Sequence, residues 1–324
     1  MTEIFIGLGE KTFAITGASG YIGTSLINTL STYTKNILAI GRSEISYACD
    51  VKSIQADIRN PDIWEEIVNY ADVIYHLGGN TSLSVANLEP SESISSTLLP
   101  VTHLIAAAIK LNKKPRVIFA STATVYGLTP SIPVNEELSL NPITVYDLHK
   151  TFAEKQLAMA TEEGLIYSAS LRLSNVYGPS FSKSMQQDRG VLNKMMEMAM
   201  AGNEISVYGN GNYLRDYIYI DDVIKAFLLT GLKDDIVTGP YNVASGKSIS
   251  ILEAFQLLIS QAKVITGKEI NFKFVPWQAG VNPIEKRNFI ADINKINKSL
   301  GWSPKIMPEQ GIAKMLEVIN RRVI

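Results

Sequence analysis

Cysteine is almost absent: Cys49 is the single one in 324 residues. That excludes an internal disulfide framework and a cysteine-built zinc cage, and it points to a reducing, cytoplasmic setting. Histidine is scarce as well. His76, His103 and His149 show no metal-ligand spacing, so they read as structural and no metal site is expected. Neither sign of charge dominates, with 30 Lys and Arg against 31 Asp and Glu and a net charge of -1. A protein whose main partner is nucleic acid or an anionic membrane carries a basic excess, so neither partner is expected. No stretch reaches the roughly 18 uninterrupted apolar residues of a membrane span. The first apolar run, Ile4 to Leu8, is shorter than a signal-peptide core and is followed by Glu10 and Lys11. Residues 1–10 read as a short extension before the first strand. Internal repeats and low-complexity tracts are not found.

What is present is material for a core: 46% hydrophobic residues with 19% charged, over a length that suits roughly two domains. The first half alternates short β-rich runs with helical patterns. Strands are expected at 12–16, 36–40, 53–56, 73–77 and 116–120, and helices at 22–30, 63–70 and 100–111. Such alternation implies right-handed βαβ units and a parallel sheet covered by helices on both faces. The class is therefore α/β, a Rossmann-type doubly wound sheet. After about residue 178 the pattern is less regular, with Gly, Asn and Pro clustered around 178–190, 209–213 and 239–246. A smaller, interleaved substrate-binding domain is expected there. The boundaries read as 1–178, with 215–245 returning to the large domain, and 179–214 with 246–324 forming the small one. Met195, Met196, Met198 and Met200 read as helix packing.

The strongest local signal is Thr16-Gly17-Ala18-Ser19-Gly20-Tyr21-Ile22-Gly23, between an expected strand and an expected helix. Gly17 permits a tight turn, Gly20 lets a pyrophosphate approach the backbone, and Gly23 lets the helix pack closely. The helix start, with Ser19, Tyr21 and Ile22 around it, offers N–H groups to phosphate. In this position the glycines point to a dinucleotide rather than to a plain turn. The acidic residue that selects NAD usually stands about 20 residues on, at the end of the second strand. Here that strand ends Ile40-Gly41-Arg42-Ser43, with no carboxylate. Arg42 and Ser43 suit a 2′-phosphate, which favours NADP over NAD. Asp57 and Ile58, after the third strand, are placed to meet the adenine edge.

Tyr146 and Lys150 are four residues apart, which puts them on one face of a helix. Thr122 follows the fifth strand at the carboxyl edge, where open α/β sheets bind ligands. Together with ADIRN (56–60), HLGG (76–79), LRLSNVYGP (171–179), VYGNGNYLRDYIYIDDV (207–223), YNVASG (241–246) and ADINK (291–295), the chain resembles the extended short-chain dehydrogenase/reductase family. That family contains nucleotide-sugar epimerases, dehydratases and ketoreductases. The resemblance runs from about Thr12 to Trp302.

The resemblance implies that Tyr146 is the acid/base, that Lys150 tunes it, and that Thr122 hydrogen-bonds the reacting oxygen. It adds Leu77, Gly78 and Gly79 to the cofactor site. A nucleotide-activated sugar is the implied substrate, with Thr81, Asn175, Arg189, Leu192, Tyr208 and Arg215 around it. A phenol with a pKa near 10 must fall by about 3 units to act near neutrality, worth roughly 4 kcal/mol. One cation at ~4 Å supplies about that much at an effective dielectric near 20, so Lys150 alone is marginal and a positively charged nicotinamide completes it. Ala123 and Thr124 replace the Asp-Glu pair of the 4,6-dehydratases, which disfavours dehydration. Epimerisation at C4 is the leading expectation, and 4-ketoreduction the alternative that Gly41-Arg42 strengthens. A non-catalytic dinucleotide sensor and a reductase of non-sugar alcohols are the competing classes. The family's Arg-Pro-Gly reads Asn282-Pro283-Ile284, so one phosphate clamp is missing unless Lys286 or Arg287 replaces it. The helix carrying Tyr146 also carries Phe152, Leu157 and Met159, and by family resemblance a homodimer forms there.

Overall fold

The structure is a computed structural model that describes residues 11–43, 51–129, 131–180, 190–233, 235 and 237–323. Most of its first strands are short and buried on both faces, as a sheet covered on two sides demands, whereas the edge strand Lys52–Gln55 is largely exposed. They are β1 (Phe13–Thr16), β2 (Ile37–Gly41), β3 (Lys52–Gln55), β4 (Val73–His76) and β5 (Arg116–Thr122). The helices between them are α1 (Tyr21–Leu30), α2 (Asp62–Tyr70), α3 (Leu83–Leu88), α4 (Pro90–Thr97) and α5 (Leu99–Leu111). Then come α6 (Val145–Glu162), β6 (Tyr167–Leu173), β7 (Asn175–Tyr177), α7 (Gly190–Ala201), β8 (Ile205–Tyr208) and β9 (Leu214–Tyr219). The remaining elements are α8 (Ile220–Leu232), β10 (Gly239–Val243), β11 (Ser248–Ser250), α9 (Ile251–Thr266), β12 (Phe272–Val275), α10 (Asn294–Leu300) and α11 (Pro308–Val323).

Seven strands form one sheet in the order β10-β6-β5-β4-β1-β2-β3, and every neighbouring pair is parallel. This is the expected Rossmann-type doubly wound α/β sheet. One core lies between the sheet and α1 and α8, around Phe13, Ile15, Leu26, Tyr75 and Phe227. The other lies beneath α2, α5 and α6, around Leu38, Trp64, Leu104, Phe119 and Leu157. Each such side chain, fully buried, contributes roughly 1.5–3 kcal/mol. Two small sheets, β11-β9-β7 and β12-β8, stand with α7, α9 and α11 beyond the carboxyl edge. Trp302 is fully buried and donates its indole N–H to the Asp222 carbonyl at 3.0 Å, tying the C-terminal segment to α8.

The segment 215–245 divides. Its first strand, β9, pairs within the small sheet with β7 and β11. Its last, β10, joins the main sheet beside β6, and α8 packs on that sheet's face. Two helices, α3 and α4, occupy residues 83–97, which the sequence leaves unassigned. The run Pro90–Leu111 is long and apolar enough to cross a membrane by length and composition alone. In the fold it breaks at Leu98 into α4 and α5, which pack against α2 and α6.

Candidate active site

The sheet reverses winding direction between β1 and β4, so two loops diverge there and leave a crevice. Gly17 lines it with a left-handed backbone, φ +66°. A side chain at Gly17 would come within 2.7 Å of the Gly78 nitrogen. At Gly23 it would lie 2.3 Å from the Gly17 carbonyl oxygen, so this glycine lets α1 close on the Gly17–Ala18 turn that follows β1. Thr16 Oγ1 accepts from the Gly78 N–H at 3.2 Å and pairs with His76 Nδ1 at 2.7 Å, joining the two strand ends. Burial, with Lys150 nearby, pushes His76 down to about 3, so it stays neutral.

The resulting groove is about 340 Å³, and Gly17, Ser19, Gly20, Arg42, Asp57, Ile58, Leu77, Gly78, Gly79 and Thr81 all line it. Four expected residues do not put side chains there. The Tyr21 hydroxyl instead donates to the Gly178 carbonyl at 2.9 Å. Ile22 packs on the core, Gly23 faces the Gly17–Ala18 turn, and Ser43 is exposed and not among the lining residues. What Ile22 and Gly23 can offer the groove is the first-turn backbone of α1, whose N–H groups have no acceptor within the helix. Asp57 is engaged by Arg59, whose Nε lies 2.9 and 3.0 Å from the two carboxylate oxygens. Arg59 also reaches Glu92 of α4 at 2.9 Å. Arg59, and more weakly Arg42, hold Asp57 below the usual carboxylate range.

A second cavity of about 700 Å³ lies beyond, and Thr81 lines both spaces. Thr122, Tyr146, Asn175, Tyr208 and Arg215 line this cavity. Thr144 caps α6 by accepting from the Asp147 N–H at 3.1 Å, so the helix starts just before Tyr146. One turn on, Lys150 is 4% exposed and donates to the Ala120 carbonyl at 2.8 Å. Its ammonium sits 4.6 Å from the Phe119 ring centre and 6.0 Å from that of Tyr146. Burial lowers Lys150 to about 8, partly opposed by Glu154. Burial pushes the Tyr146 phenol well up, the Asp147 carboxylate adds to this, and the Thr122 hydroxyl draws it down. The protein's own groups therefore leave the phenol protonated, and a further positive charge is needed to ionise it.

Arg215 donates to the main-chain carbonyls of Leu214, Glu285 and Arg287, not to Asp216, Asp221 or Asp222. Asp216 serves Ser245, Gly246 and Ala291 instead. Of the two substitutes for the missing clamp, Arg287 lines the cavity while Lys286 turns to the Trp277 ring, 6.0 Å away. Arg287 donates to the Ile284 carbonyl at 2.9 Å, and its buried Nε has no protein partner. Burial and the neighbouring Arg215 lower Arg287 to about 10. Two buried guanidinium groups side by side make the wall a site for an anion. Tyr208 stacks on Trp277 with ring centres 5.2 Å apart. Asn175 donates to the Asp216 carbonyl at 3.1 Å.

Leu192 is a correction: it is 2% exposed and belongs to the core, while Val191, Lys194 and Met195 line the cavity. Arg189 lies outside the described residues. The sequence reading does not single out Trp277 or Asp147. Trp277 leaves no local signal, but Thr144-Val145-Tyr146-Asp147 has the form of a helix-capping pair, which would have placed the Asp147 carboxylate back against Thr144. Among the described residues no cluster of His, Cys, Asp and Glu could hold a metal ion.

The family described as NAD dependent epimerase/dehydratase matches residues 13–244. A UDP-glucose 4-epimerase of Mycolicibacterium smegmatis is 25% identical, over 95% of this chain and 98% of its own. A UDP-glucuronic acid decarboxylase of Danio rerio is 25% identical, over 97% of this chain and 74% of its own. The solved UDP-glucose 4-epimerase of Thermotoga maritima, with UDP-glucose, superposes with a TM-score of 0.83 at 27% identity. That match covers 97% of this chain and all of the other.

Proposed function

The chain belongs to the NAD-dependent epimerase/dehydratase family, and we propose that it epimerises a nucleotide-activated sugar at a ring carbinol, C4, with NAD or NADP. The observation that carries this reading is one junction. Thr122 and Tyr146 line a cavity walled by Arg215 and Arg287, and Thr81 borders both that cavity and the glycine-lined groove. The groove suits a dinucleotide because Gly17, Gly20, Gly78 and Gly79 line it, so no side chain at those positions stands between a phosphate and the main chain. A bound dinucleotide supplies a hydride acceptor and donor at its nicotinamide.

The chain's own residues do the rest. Gly17, Ser19 and Gly20 bring backbone to the pyrophosphate. Arg215 and Arg287 bind the sugar's diphosphate, and Tyr208 and Trp277 pack against its base. Lys150, held by the Ala120 carbonyl, keeps a positive charge beside the phenol. Tyr146 takes the proton from the sugar hydroxyl as that carbon is oxidised, and returns it after the sugar has presented its other face. Thr122 hydrogen-bonds the same oxygen. A homodimer through exposed Leu148, Phe152 and Met159 of α6 is part of the proposal. Leu157 takes no part in it, being buried in its own core.

The test is turnover of UDP- and other nucleotide hexoses with each dinucleotide. Arg287→Met should raise KM for the nucleotide sugar about 10- to 100-fold, the worth of a charged hydrogen bond or two. The Kd for the dinucleotide should stay within about twofold; an unchanged KM would remove Arg287 from the clamp.

A second reading, 4-ketoreduction with NADPH, is favoured by one observation. Arg42 lies in the groove just past the end of β2, and Asp57, a carboxylate of the same groove, is already tied to Arg59. Arg42→Ala should weaken NADP(H) about tenfold or more while changing NAD(H) by less than about twofold. Equal losses measured by titration would assign Arg42 no part in cofactor choice.

A further inference from the structure

The helix whose start faces the groove carries no cap of its own. Gly20 is the N-cap residue of α1, so no side chain there accepts from the first turn, and that turn holds no acidic residue. Its N–H groups are left for an anion, and without one the turn opens easily, as uncapped helix ends do. A pyrophosphate in the groove closes it. Tyr21 is the first residue of that turn. Its hydroxyl donates to the Gly178 carbonyl, 157 positions away, at 2.9 Å.

Gly178 directly follows β7 and is gripped a second time, by Asn193 of α7, which is 0% exposed. Asn193 Oδ1 accepts from the Gly178 N–H at 3.0 Å, and its Nδ2 donates to the Gly178 carbonyl at 3.2 Å. Both ends of one buried amide are thus committed to a single residue. The positions around Asn193 on α7, namely Val191, Lys194, Met195 and Met198, line the cavity. The helix otherwise packs chiefly on α9 and α11. A line of bonds therefore runs from the groove through Tyr21, Gly178 and Asn193 to the cavity wall.

We propose that Tyr21 and Asn193 are positioning residues that couple the two sites, so that a dinucleotide in the groove tightens the cavity's hold on a nucleotide diphosphate. The proposal rests on the reading of groove and cavity given above. The bistable element is the first turn of α1, open or closed. A dinucleotide favours the closed turn, where the N–H groups converge on phosphate. The closed turn sets Tyr21, which fixes Gly178 and braces α7 through Asn193. The cavity's ligand favours the same state because its wall is then held in place. A ligand shifts such an equilibrium by its differential affinity for the two states, and the coupling is reciprocal. Among the described residues, neither Tyr21 nor Asn193 lines the groove or the cavity, so their loss leaves the ligand contacts in place.

The deciding experiment is calorimetric titration of UDP into wild type and Tyr21→Phe, each free of dinucleotide and saturated with NAD⁺ or NADP⁺. UDP carries the diphosphate and base but no sugar, so the space beside Tyr146 stays open. The factor by which the dinucleotide improves the Kd for UDP should be about fivefold or more larger in wild type than in Tyr21→Phe. Direct effects of one ligand on the other are common to both proteins and cancel in that ratio. Equal factors would overturn the proposal. Asn193→Ala should lose the coupling too, and a retained factor there would count equally against it; if that variant does not fold, Tyr21→Phe decides. A second measurement needs no nucleotide sugar. Adding the dinucleotide alone should slow hydrogen exchange of the α7 amides about fivefold or more in wild type and less than about twofold in Tyr21→Phe. Equal slowing, or none in wild type, would overturn the proposal. If UDP binds neither form, the reading of the cavity falls and hydrogen exchange alone decides the coupling. Failure of both dinucleotides to bind would sink both.

Discussion

Tyr146→Phe should reduce turnover of a nucleotide sugar by about 10²- to 10⁴-fold, the usual worth of a positioned acid or base. The substitution removes one oxygen and leaves the ring. Lys150 keeps its bond to the Ala120 carbonyl and its place over Phe119, and the groove glycines are untouched. Dinucleotide affinity, measured by fluorescence titration, should therefore stay within about threefold, well under 1 kcal/mol. Retention of more than about a tenth of wild-type kcat would show that another group moves the proton. The physical reason for expecting a large loss is the environment. Burial raises the Tyr146 phenol and the buried Lys150 ammonium lies 6.0 Å from its ring centre, so loss of that one oxygen removes the group placed to move the proton.

Glu154→Ala should cost about 3–5 kcal/mol of unfolding free energy, as removal of one partner of a buried pair does. Glu154 and Arg172 are each nearly buried and meet at 2.7 Å. Glu154 also accepts from Ser121, and Arg172 donates to the Tyr126 hydroxyl at 2.9 Å. Tyr126 in turn donates to Asn242 at 2.8 Å. Without its carboxylate the Arg172 charge is stranded beneath the sheet. Against a typical stability of about 5–15 kcal/mol this is a large share. Urea unfolding followed by circular dichroism measures it. Adding Arg172→Met should restore part of the loss, because the stranded charge goes with it. A loss below about 1 kcal/mol for Glu154→Ala would mean that water reaches and solvates the guanidinium.

The parallel sheet is legible because buried strands are written as unbroken apolar runs: Phe13–Thr16, Ile37–Gly41 and Val73–His76 show almost no exposed position. The glycine turn is legible because it sits between such a run and a helix. Residues 83–97 are not, since serine-rich sequence with Pro90 has the composition of a loop. It becomes helix because Pro90 is tolerated in a first turn and because Ser93 meets His149 of α6 at 2.8 Å. The phase of α7 is not legible either. Methionines lie on both of its sides, so sequence alone does not tell that Leu192 and Met196 face the core while Met195 and Met198 border the cavity. Arg215 shows a different limit. Three acidic residues nearby in sequence suggest an ion pair, but carbonyls from residues some 70 positions away hold the guanidinium instead. Long-range partners of this kind leave no local trace.

The two halves of the site are separated in sequence. Among the described residues the groove's lining falls within 17–96, whereas the cavity requires Trp277, Arg287 and Phe289, and β8 finds its partner β12 more than sixty residues later. During synthesis, when chains are made from the N-terminal end, the residues lining the groove emerge well before the far wall of the cavity. The groove's lining is thus made early in the chain, while the sheet that carries it is completed only when α8 and β10 arrive.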